Sequence, residues 1–210
     1  MKGRLIFWLT KSAVRLYCSV FMKLRVHGLN NVPRRTGAII VANHRSHLDG
    51  FLLYSLMSRM IYSFIKSDYF KNPLLGWYLK GGGGIPVKKG ELRPSSIRQA
   101  NRVLSEGNVL LVFPEGRINE GEGVLPFEKT FLRLCLKYGV PVVPVVIVGT
   151  ENDLPDGQWL PRLSEIVVIF KQPFFFEAGV DVPNLVDSHV EGIRKVIAET
   201  MENVADEVSC

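Results

Sequence analysis

The sequence predicts an α/β protein whose mixed, largely parallel sheet is covered by helices. The first observation that predicts this fold is a set of short, largely apolar runs typical of strands buried on both faces. These runs are residues 38–42, 62–65, 109–113, 142–148 and 166–170. The second is that helical patterns separate most of these runs, as expected of parallel strands joined by crossover helices. The length of 210 residues suits one domain with a sizeable core.

Six segments have helical patterns. They are residues 4–22, a segment that follows a turn at 43–50 and runs to about 57, and residues 73–79, 95–106, 127–138 and 187–208. Pro73 suits a first helical turn, and Ser95 or Ser96 is placed to cap the fourth segment. Gly107 and Gly139 are expected to end the fourth and fifth segments.

Charge is distributed unevenly along the chain. Residues 1–150 carry 22 Lys and Arg against 8 Asp and Glu, a net charge of +14, whereas residues 151–210 have a net charge of −8. This asymmetry predicts that the N-terminal part meets an anionic partner, which is a phospholipid surface, a phosphorylated substrate or nucleic acid. The three cysteines form neither a CxxC pair nor an even disulfide framework, so a reducing, cytosolic-facing location is expected.

Residues 4–22 combine large apolar side chains with one polar stripe, formed by Arg4, Lys11, Arg15, Ser19 and Lys23. In a membrane span, Lys11 and Arg15 would each cost about 2.5–3.5 kcal/mol, against about 0.3–0.6 kcal/mol gained per Leu, Ile, Phe or Val. The pattern therefore favours a helix lying in the membrane interface with its cations on anionic head groups. The alternative is an ordinary amphipathic helix packed on the domain. We accordingly divide the chain into a membrane-interface helix, residues 1–24, and a domain of residues 25–210.

The turn at 43–50, with the sequence Asn-His-Arg-Ser-His-Leu-Asp-Gly, follows the first buried strand. Carboxyl ends of strands are where α/β proteins commonly place their chemistry. His44 and Asp49 meet if His44 ends the strand and Asp49 lies in the first turn of the next helix. An Asp that accepts from one imidazole nitrogen fixes the tautomer and leaves the other nitrogen to take a proton.

Other interpretations of this turn remain open. Ser46 and Asp49 have the spacing of a capping box, in which case Asp49 only caps the helix and Ser46 is its N-cap. A metal site on His44, His47 and Asp49 lacks further ligands, and His47 is expected to be structural. A serine hydrolase is disfavoured because no G-x-S-x-G sequence is present.

Two further segments carry cations near predicted strand ends. The glycine run at 81–84 leads to Lys88 and Lys89, and the sequence Phe-Pro-Glu-Gly-Arg at 113–117 ends with Arg117. The glycines do not form a nucleotide P-loop, because no Ser or Thr follows the lysines. A histidine base together with two cationic strand ends suits an acceptor that bears both a hydroxyl and a phosphate.

These motifs resemble those of the glycerolipid acyltransferases typified by 1-acylglycerol-3-phosphate acyltransferase. The family's N-H-x-S-x-x-D is matched in full at 43–49, and F-P-E-G-T-R-S is matched through Gly116. Arg117 then takes the Thr position and Ile118 the Arg position, while Lys89 falls where the family usually has arginine. An apolar strand with an internal proline at 140–145 is similar to the fourth motif, and the resemblance covers about residues 25–205.

The resemblance implies acyl transfer from acyl-CoA or acyl-ACP to the hydroxyl of a lysophospholipid, most directly 1-acylglycerol-3-phosphate. His44 would be the general base and Asp49 its orienting partner. The acceptor phosphate would be held by three cations: Lys88, Lys89 and Arg117. Glu115 would contact the acceptor, brace the basic residues or only fix its loop. Gly116 and the glycine run would allow close backbone approach and supply donors to the developing oxyanion.

The resemblance requires no metal or prosthetic cofactor. It makes residues 25–210 an acyltransferase domain and the chain a peripheral or monotopic protein at the cytoplasmic face of a membrane. The departures at Lys89, Arg117 and Ile118 leave two alternatives, which are action on another lysolipid and a non-catalytic phospholipid-binding module. A nucleic-acid binder is disfavoured because no recognised motif or aromatic-interleaved basic patch occurs.

Overall fold

A computed structural model describes residues 2–88, 93–152, 164–177 and 183–209. Seven strands form one sheet: β1 (Met22–His27), β2 (Ala38–Ala42), β3 (Ile61–Lys66), β4 (Gly84–Val87), β5 (Val109–Val112), β6 (Val142–Val148) and β7 (Ser164–Phe170). Their order across the sheet is β1-β7-β6-β2-β5-β3-β4. Strands β2 to β6 are parallel, β7 is antiparallel to β6, and β1 is parallel to β7. The predicted mixed, largely parallel sheet is thereby confirmed.

The main helices are α1 (Lys2–Phe21), α2 (Leu48–Leu56), α3 (Pro73–Gly81), α4 (Pro94–Ser105), α5 (Thr130–Tyr138) and α6 (Pro183–Ser209). Side chains alternate along each strand, so the two faces of the sheet have separate cores. Ile39 and Val41 pack with apolar residues of α4, α5 and α6, whereas Ile40 and Ala42 pack with residues of α1 and α2. Each such side chain is fully buried, and burial of one valine or isoleucine is worth about 1.5–3 kcal/mol.

Several element boundaries differ from those predicted. Strand β1 was not anticipated, because its alternation of buried and exposed residues is short and follows α1 without a break. Helix α4 begins at Pro94 rather than at a serine cap, and the Ser96 hydroxyl instead donates to Pro86 O at 2.6 Å. Helix α5 begins at Thr130 because the preceding residues form part of the loop that follows β5.

Helix α1 packs against α2 and α3, and one of its predicted surface cations is buried. Lys11 is only 6% exposed and donates to Met57 O, 2.5 Å away, just beyond the last residue of α2. Burial, followed by the nearby Arg15 charge, lowers the pKa of Lys11. The expectation that Lys11 lies on lipid head groups is therefore wrong. The proposed boundary at residue 24 falls inside β1.

Within the ranges that the structure describes, no helix is both long and apolar enough to cross a bilayer.

Candidate active site

The carboxyl ends of the parallel strands bring several predicted site residues to one edge of the sheet. His44 follows β2, Arg117 follows β5, and Lys88 follows β4 directly. Thr150 follows β6, which lies beside β2 on the other side. The described site is therefore built from the loops after four parallel strands.

His44 and Asp49 form a hydrogen-bonded pair in the turn between β2 and α2. His44 Nδ1 lies 2.9 Å from Asp49 Oδ2, and Asp49 is completely buried. An ionised carboxylate only accepts hydrogen bonds, so this contact assigns the proton of neutral His44 to Nδ1. No described residue bonds to Nε2, and the side chain is 18% exposed. In this tautomer Nε2 has a free lone pair and is the ring nitrogen that can take a proton.

The Asp49 carboxylate is surrounded by donors from both sides of the turn. Oδ2 also accepts from the backbone N–H groups of Arg45, at 2.7 Å, and Ser46, at 2.8 Å. Oδ1 accepts from the Thr150 hydroxyl at 2.6 Å. Four donors therefore hold one buried carboxylate, and each net hydrogen bond to a charged group is worth about 1.5–3 kcal/mol.

The capping interpretation of Ser46 and Asp49 is compatible with this pair. Ser46 N donates to Asp49 Oδ2 as in a capping box, but the Ser46 hydroxyl accepts from Leu48 N at 3.2 Å rather than from Asp49 N, and His47, not Ser46, precedes α2 as its N-cap. Asp49 consequently stabilises the start of α2 and orients His44 with the same oxygen.

The loop after β5 fixes both the ring and the backbone of His44. The Phe113 ring stacks on the imidazole with centroids 4.0 Å apart and an angle of 18° between the planes. Glu115 Oε1 accepts from His44 N at 2.9 Å, and Oε2 accepts from Leu125 N at 3.1 Å. Both Glu115 oxygens therefore bind backbone inside the protein, as expected for the loop-fixing alternative.

Asn119 ties the same loop to the turn, a role that no local sequence pattern indicates. Its N–H donates to His44 O at 2.8 Å, and its side chain bonds Gly121 N at 3.0 Å and Gly123 O at 2.9 Å. The Arg45 guanidinium donates to Gly121 O. The backbone around His44 is thus held from both its N–H and its carbonyl.

Asn43 fixes the turn to β6. Its side chain is 1% exposed, donates to Ile147 O at 2.8 Å and accepts from Ile147 N at 2.8 Å. The sequence analysis identified Asn43 as the first residue of the N-H-x-S-x-x-D motif but gave it no role, and it did not identify Thr150. A Gly-Thr pair directly after a buried strand is the signal that points to Thr150.

The predicted phosphate-binding cations differ in their distance from His44. Arg117 and Lys88 are exposed, and neither forms an ion pair among the described residues; Lys89 lies outside those residues. Strand β5 is adjacent to β2, but β4 is three strands away, which corresponds to about 14 Å at the usual interstrand spacing. The strand that precedes Arg117 is therefore next to the strand that precedes His44, whereas the strand that precedes Lys88 is not.

The predicted roles of the glycines are largely replaced by structural ones. The 81–84 run lies at the amino end of β4, the opposite edge of the sheet from His44, so its expected part in the site is wrong. Gly83 has φ +90°, and a β-carbon there would lie 2.7 Å from Ile61 O. Gly116 lies beside the site with φ +67°, but its N–H already donates to Phe113 O.

The remaining histidine of the turn and the core cysteine take no part in the pair. His47 is exposed and contacts Tyr69 edge to face. Burial raises the pKa of Cys135 to about 12, which disfavours a thiolate nucleophile there. No group of three or more His, Cys, Asp or Glu within the described ranges could hold a metal ion.

Comparisons with known proteins agree with this fold. A family model described as "Acyltransferase" matches residues 23–148. The chain is 31% identical over 190 residues to the chloroplastic 1-acyl-sn-glycerol-3-phosphate acyltransferase BAT2 of Brassica napus, covering 88% of this chain and 53% of that protein. It is 22% identical to the 1-acyl-sn-glycerol-3-phosphate acyltransferase of Bacillus subtilis, covering 94% and 97% of the two chains.

The crystal structure of the 1-acyl-sn-glycerophosphate (LPA) acyltransferase PlsC from Thermotoga maritima is similar, with a TM-score of 0.77 and 28% identity. The match covers 97% of this chain and 79% of that one. The fold and the strand-end histidine–aspartate pair are thus accompanied by a family match over more than half of the chain. The chain belongs to the acyltransferase family. It spans about half the length of the plant relatives that it matches.

Proposed function

We propose that this protein transfers a fatty acyl group from an acyl thioester to the free hydroxyl of 1-acylglycerol-3-phosphate, giving phosphatidate. The observation that carries the proposal is the His44–Asp49 pair, with Nδ1 on a buried carboxylate and Nε2 without a hydrogen-bond partner among the described residues. The names of the relatives support the acceptor. The thioester is carried by coenzyme A or by acyl carrier protein, and no resident cofactor takes part.

The chemistry needs one base and one electrophile. His44 Nε2 takes the proton of the acceptor hydroxyl as its oxygen attacks the thioester carbonyl, forming the new C–O bond. Asp49 stabilises the imidazolium that results. Collapse of the tetrahedral intermediate breaks the C–S bond, and the proton passes from Nε2 to the departing sulfur. The substrate oxygen is the nucleophile, so no acyl-enzyme forms.

The acceptor phosphate is assigned first to Arg117. This residue follows the strand adjacent to β2, and a guanidinium binds phosphate with two parallel donors. Lys88 follows the more distant β4 and adds positive charge to the same edge, and we assign Lys89 to the same phosphate from its position in the sequence alone. Glu115 is occupied by backbone donors and acts as a brace for the loop that carries Arg117.

Acylation assays on a panel of acceptors test this function. Purified protein is given lysophosphatidate, lysophosphatidylcholine or phosphate-free monoacylglycerol, each with acyl-CoA and with acyl-ACP. We expect phosphatidate as the main product. Arg117→Ala should raise the KM for lysophosphatidate about tenfold or more, since a hydrogen bond to a charged group is worth about 1.5–3 kcal/mol.

The matched control is Arg35→Ala, because Arg35 is an exposed arginine that precedes β2 and lies at the opposite edge of the sheet. It should leave every KM unchanged. Equal acylation of the phosphate-free acceptor would contradict the assigned phosphate site. Binding of lysolipid without turnover of either donor would instead support the non-catalytic module.

We further propose that the protein is a peripheral or monotopic protein at the cytoplasmic face of a membrane, bound through one apolar surface. Helix α1 exposes five large apolar side chains by more than half, and α3 adds three: Leu5, Trp8, Leu9, Leu16 and Val20, with Leu74, Leu75 and Trp77. The two helices are in contact, with Thr10 Oγ1 2.5 Å from Tyr78 Oη. Neither contains Asp or Glu.

This α1–α3 surface has the features of an interfacial membrane contact. Contiguous exposed apolar surface indicates a partner, and tryptophan together with cations such as Arg15 suits the boundary between acyl chains and anionic head groups. A lipid surface also matches an acceptor and a product that reside in the bilayer.

The double variant Leu5→Glu/Leu9→Glu should weaken binding to phosphatidylglycerol-containing vesicles about tenfold or more, because each buried leucine contributes about 1.5–3 kcal/mol. Vesicle co-sedimentation measures this. Phe175→Glu is the control, since Phe175 is 75% exposed but lies outside both helices. Unchanged binding of the double variant would mean that α1 does not contact the membrane.

A further inference from the structure

We propose that Thr150 is a positioning residue for the His44–Asp49 pair, holding the Asp49 carboxylate in the orientation that binds His44 Nδ1. This inference rests on the proposed function of that pair. Thr150 Oγ1 donates to Asp49 Oδ1 at 2.6 Å, and both residues are buried, with exposures of 1% and 0%. The result is a chain of contacts from Thr150 through Asp49 to His44.

The other donors to Asp49 all act on one of its two oxygens. His44, Arg45 and Ser46 all bind Oδ2, so they fix the position of a single oxygen. A hydrogen bond to Oδ1 opposes rotation of the carboxylate about its Cβ–Cγ bond, and that rotation would change the lone pair presented to Nδ1. In the described part of the chain, Thr150 is the donor to Oδ1, and its bond holds the second oxygen of the carboxylate.

The backbone before Thr150 fixes the position of its hydroxyl relative to Asp49. Gly149 has φ +96°, and a β-carbon there would lie 2.1 Å from Glu165 O, so only glycine fits this bend after β6. Asn43 clamps the same strand end to the turn through its two bonds with Ile147. A β-branched threonine also has restricted χ1 rotation, which limits the positions of its hydroxyl.

The test compares Thr150→Val, which keeps the shape and removes the donor, with Thr150→Ser, which keeps the donor. We expect Thr150→Val to lower kcat for acyl transfer to lysophosphatidate by roughly 10- to 100-fold with little change in KM, as for a misplaced catalytic group. Thr150→Ser should remain within a few-fold of the wild type. Thr200→Val is the control, because it removes a partly buried hydroxyl bonded only within α6.

A second readout does not depend on turnover. The chain has four histidines, so ¹⁵N-histidine spectra of the wild type and of His44→Ala identify the His44 signals. Thr150→Val should reduce the fraction of His44 protonated at Nδ1, whereas a purely structural threonine would alter only the unfolding temperature. Thr150→Ala replaces Thr150→Val in both measurements if the valine variant does not fold.

Wild-type kcat and an unchanged His44 tautomer in the donor-free variants would overturn the inference while leaving the proposed function intact. A wild-type protein that acylates no acceptor would instead refute the proposed function. In that case the tautomer measurement still decides whether Thr150 orients the pair.

Discussion

His44→Ala is expected to reduce kcat for acyl transfer by about 10²–10⁴-fold, because general base catalysis by a positioned side chain contributes that much. The variant leaves the acceptor hydroxyl in the site without a group to take its proton. The fold should survive, since the backbone bonds of His44 to Glu115 and Asn119 remain. Steady-state kinetics and thermal unfolding measure the two effects.

His47→Ala provides the matched control in the same turn. His47 is exposed and contacts Tyr69 rather than Asp49, so its replacement should change kcat by less than a few-fold. An unchanged kcat in His44→Ala would exclude His44 as the base. Equal losses in both variants would indicate that the turn as a whole, rather than one imidazole, is required.

The sequence predicted the central part of this site because its signals are local. Residues 38–42 are all apolar and form β2 with those bounds, being completely buried on both faces. The five-residue separation of His44 and Asp49 matches a strand end and a first helical turn, and the structure has this arrangement. Such patterns depend on neighbouring residues and so are readable from one sequence.

The residues that sequence reasoning missed act across long separations in the chain. Thr150 is 101 positions from Asp49, and the Asn43 amide bonds Ile147, 104 positions away. These contacts follow from β6 lying beside β2, a pairing that no local pattern specifies. Their side chains are neutral and small, so they do not stand out as candidates for catalysis.

Two predictions were wrong because closeness in sequence differs from closeness in space. The glycine run and Lys88 are close in the chain, yet β4 begins with Gly84 and ends before Lys88, so these two residues are about 13 Å apart at 3.3 Å per residue. Lys11 belongs to a polar stripe on a helical wheel, but α2 packs against α1, and Lys11 donates to Met57 O just beyond the end of α2. A helical wheel does not show which face other helices cover.

Asp49→Asn is expected to lower kcat roughly 10²–10⁴-fold while preserving the helix cap. The amide oxygen can still accept from Arg45 N and Ser46 N, and Thr150 can accept from the amide nitrogen. A neutral amide, however, stabilises an imidazolium far less than a carboxylate and does not enforce the Nδ1-protonated tautomer. Kinetics combined with thermal unfolding separates the two roles of Asp49.

Asp49→Ala is the companion variant, because it removes the cap as well as the partner of His44. It should lower the free energy of unfolding by about 0.5–2 kcal/mol for the lost cap, and further for the buried donors left without an acceptor. Near-wild-type turnover in Asp49→Asn, together with a large loss of stability in Asp49→Ala, would show that Asp49 acts only as a helix cap. A large loss of turnover in a stable Asp49→Asn variant would show that catalysis needs the carboxylate charge itself. The catalytic function of the turn would then lie in the His44–Asp49 pair.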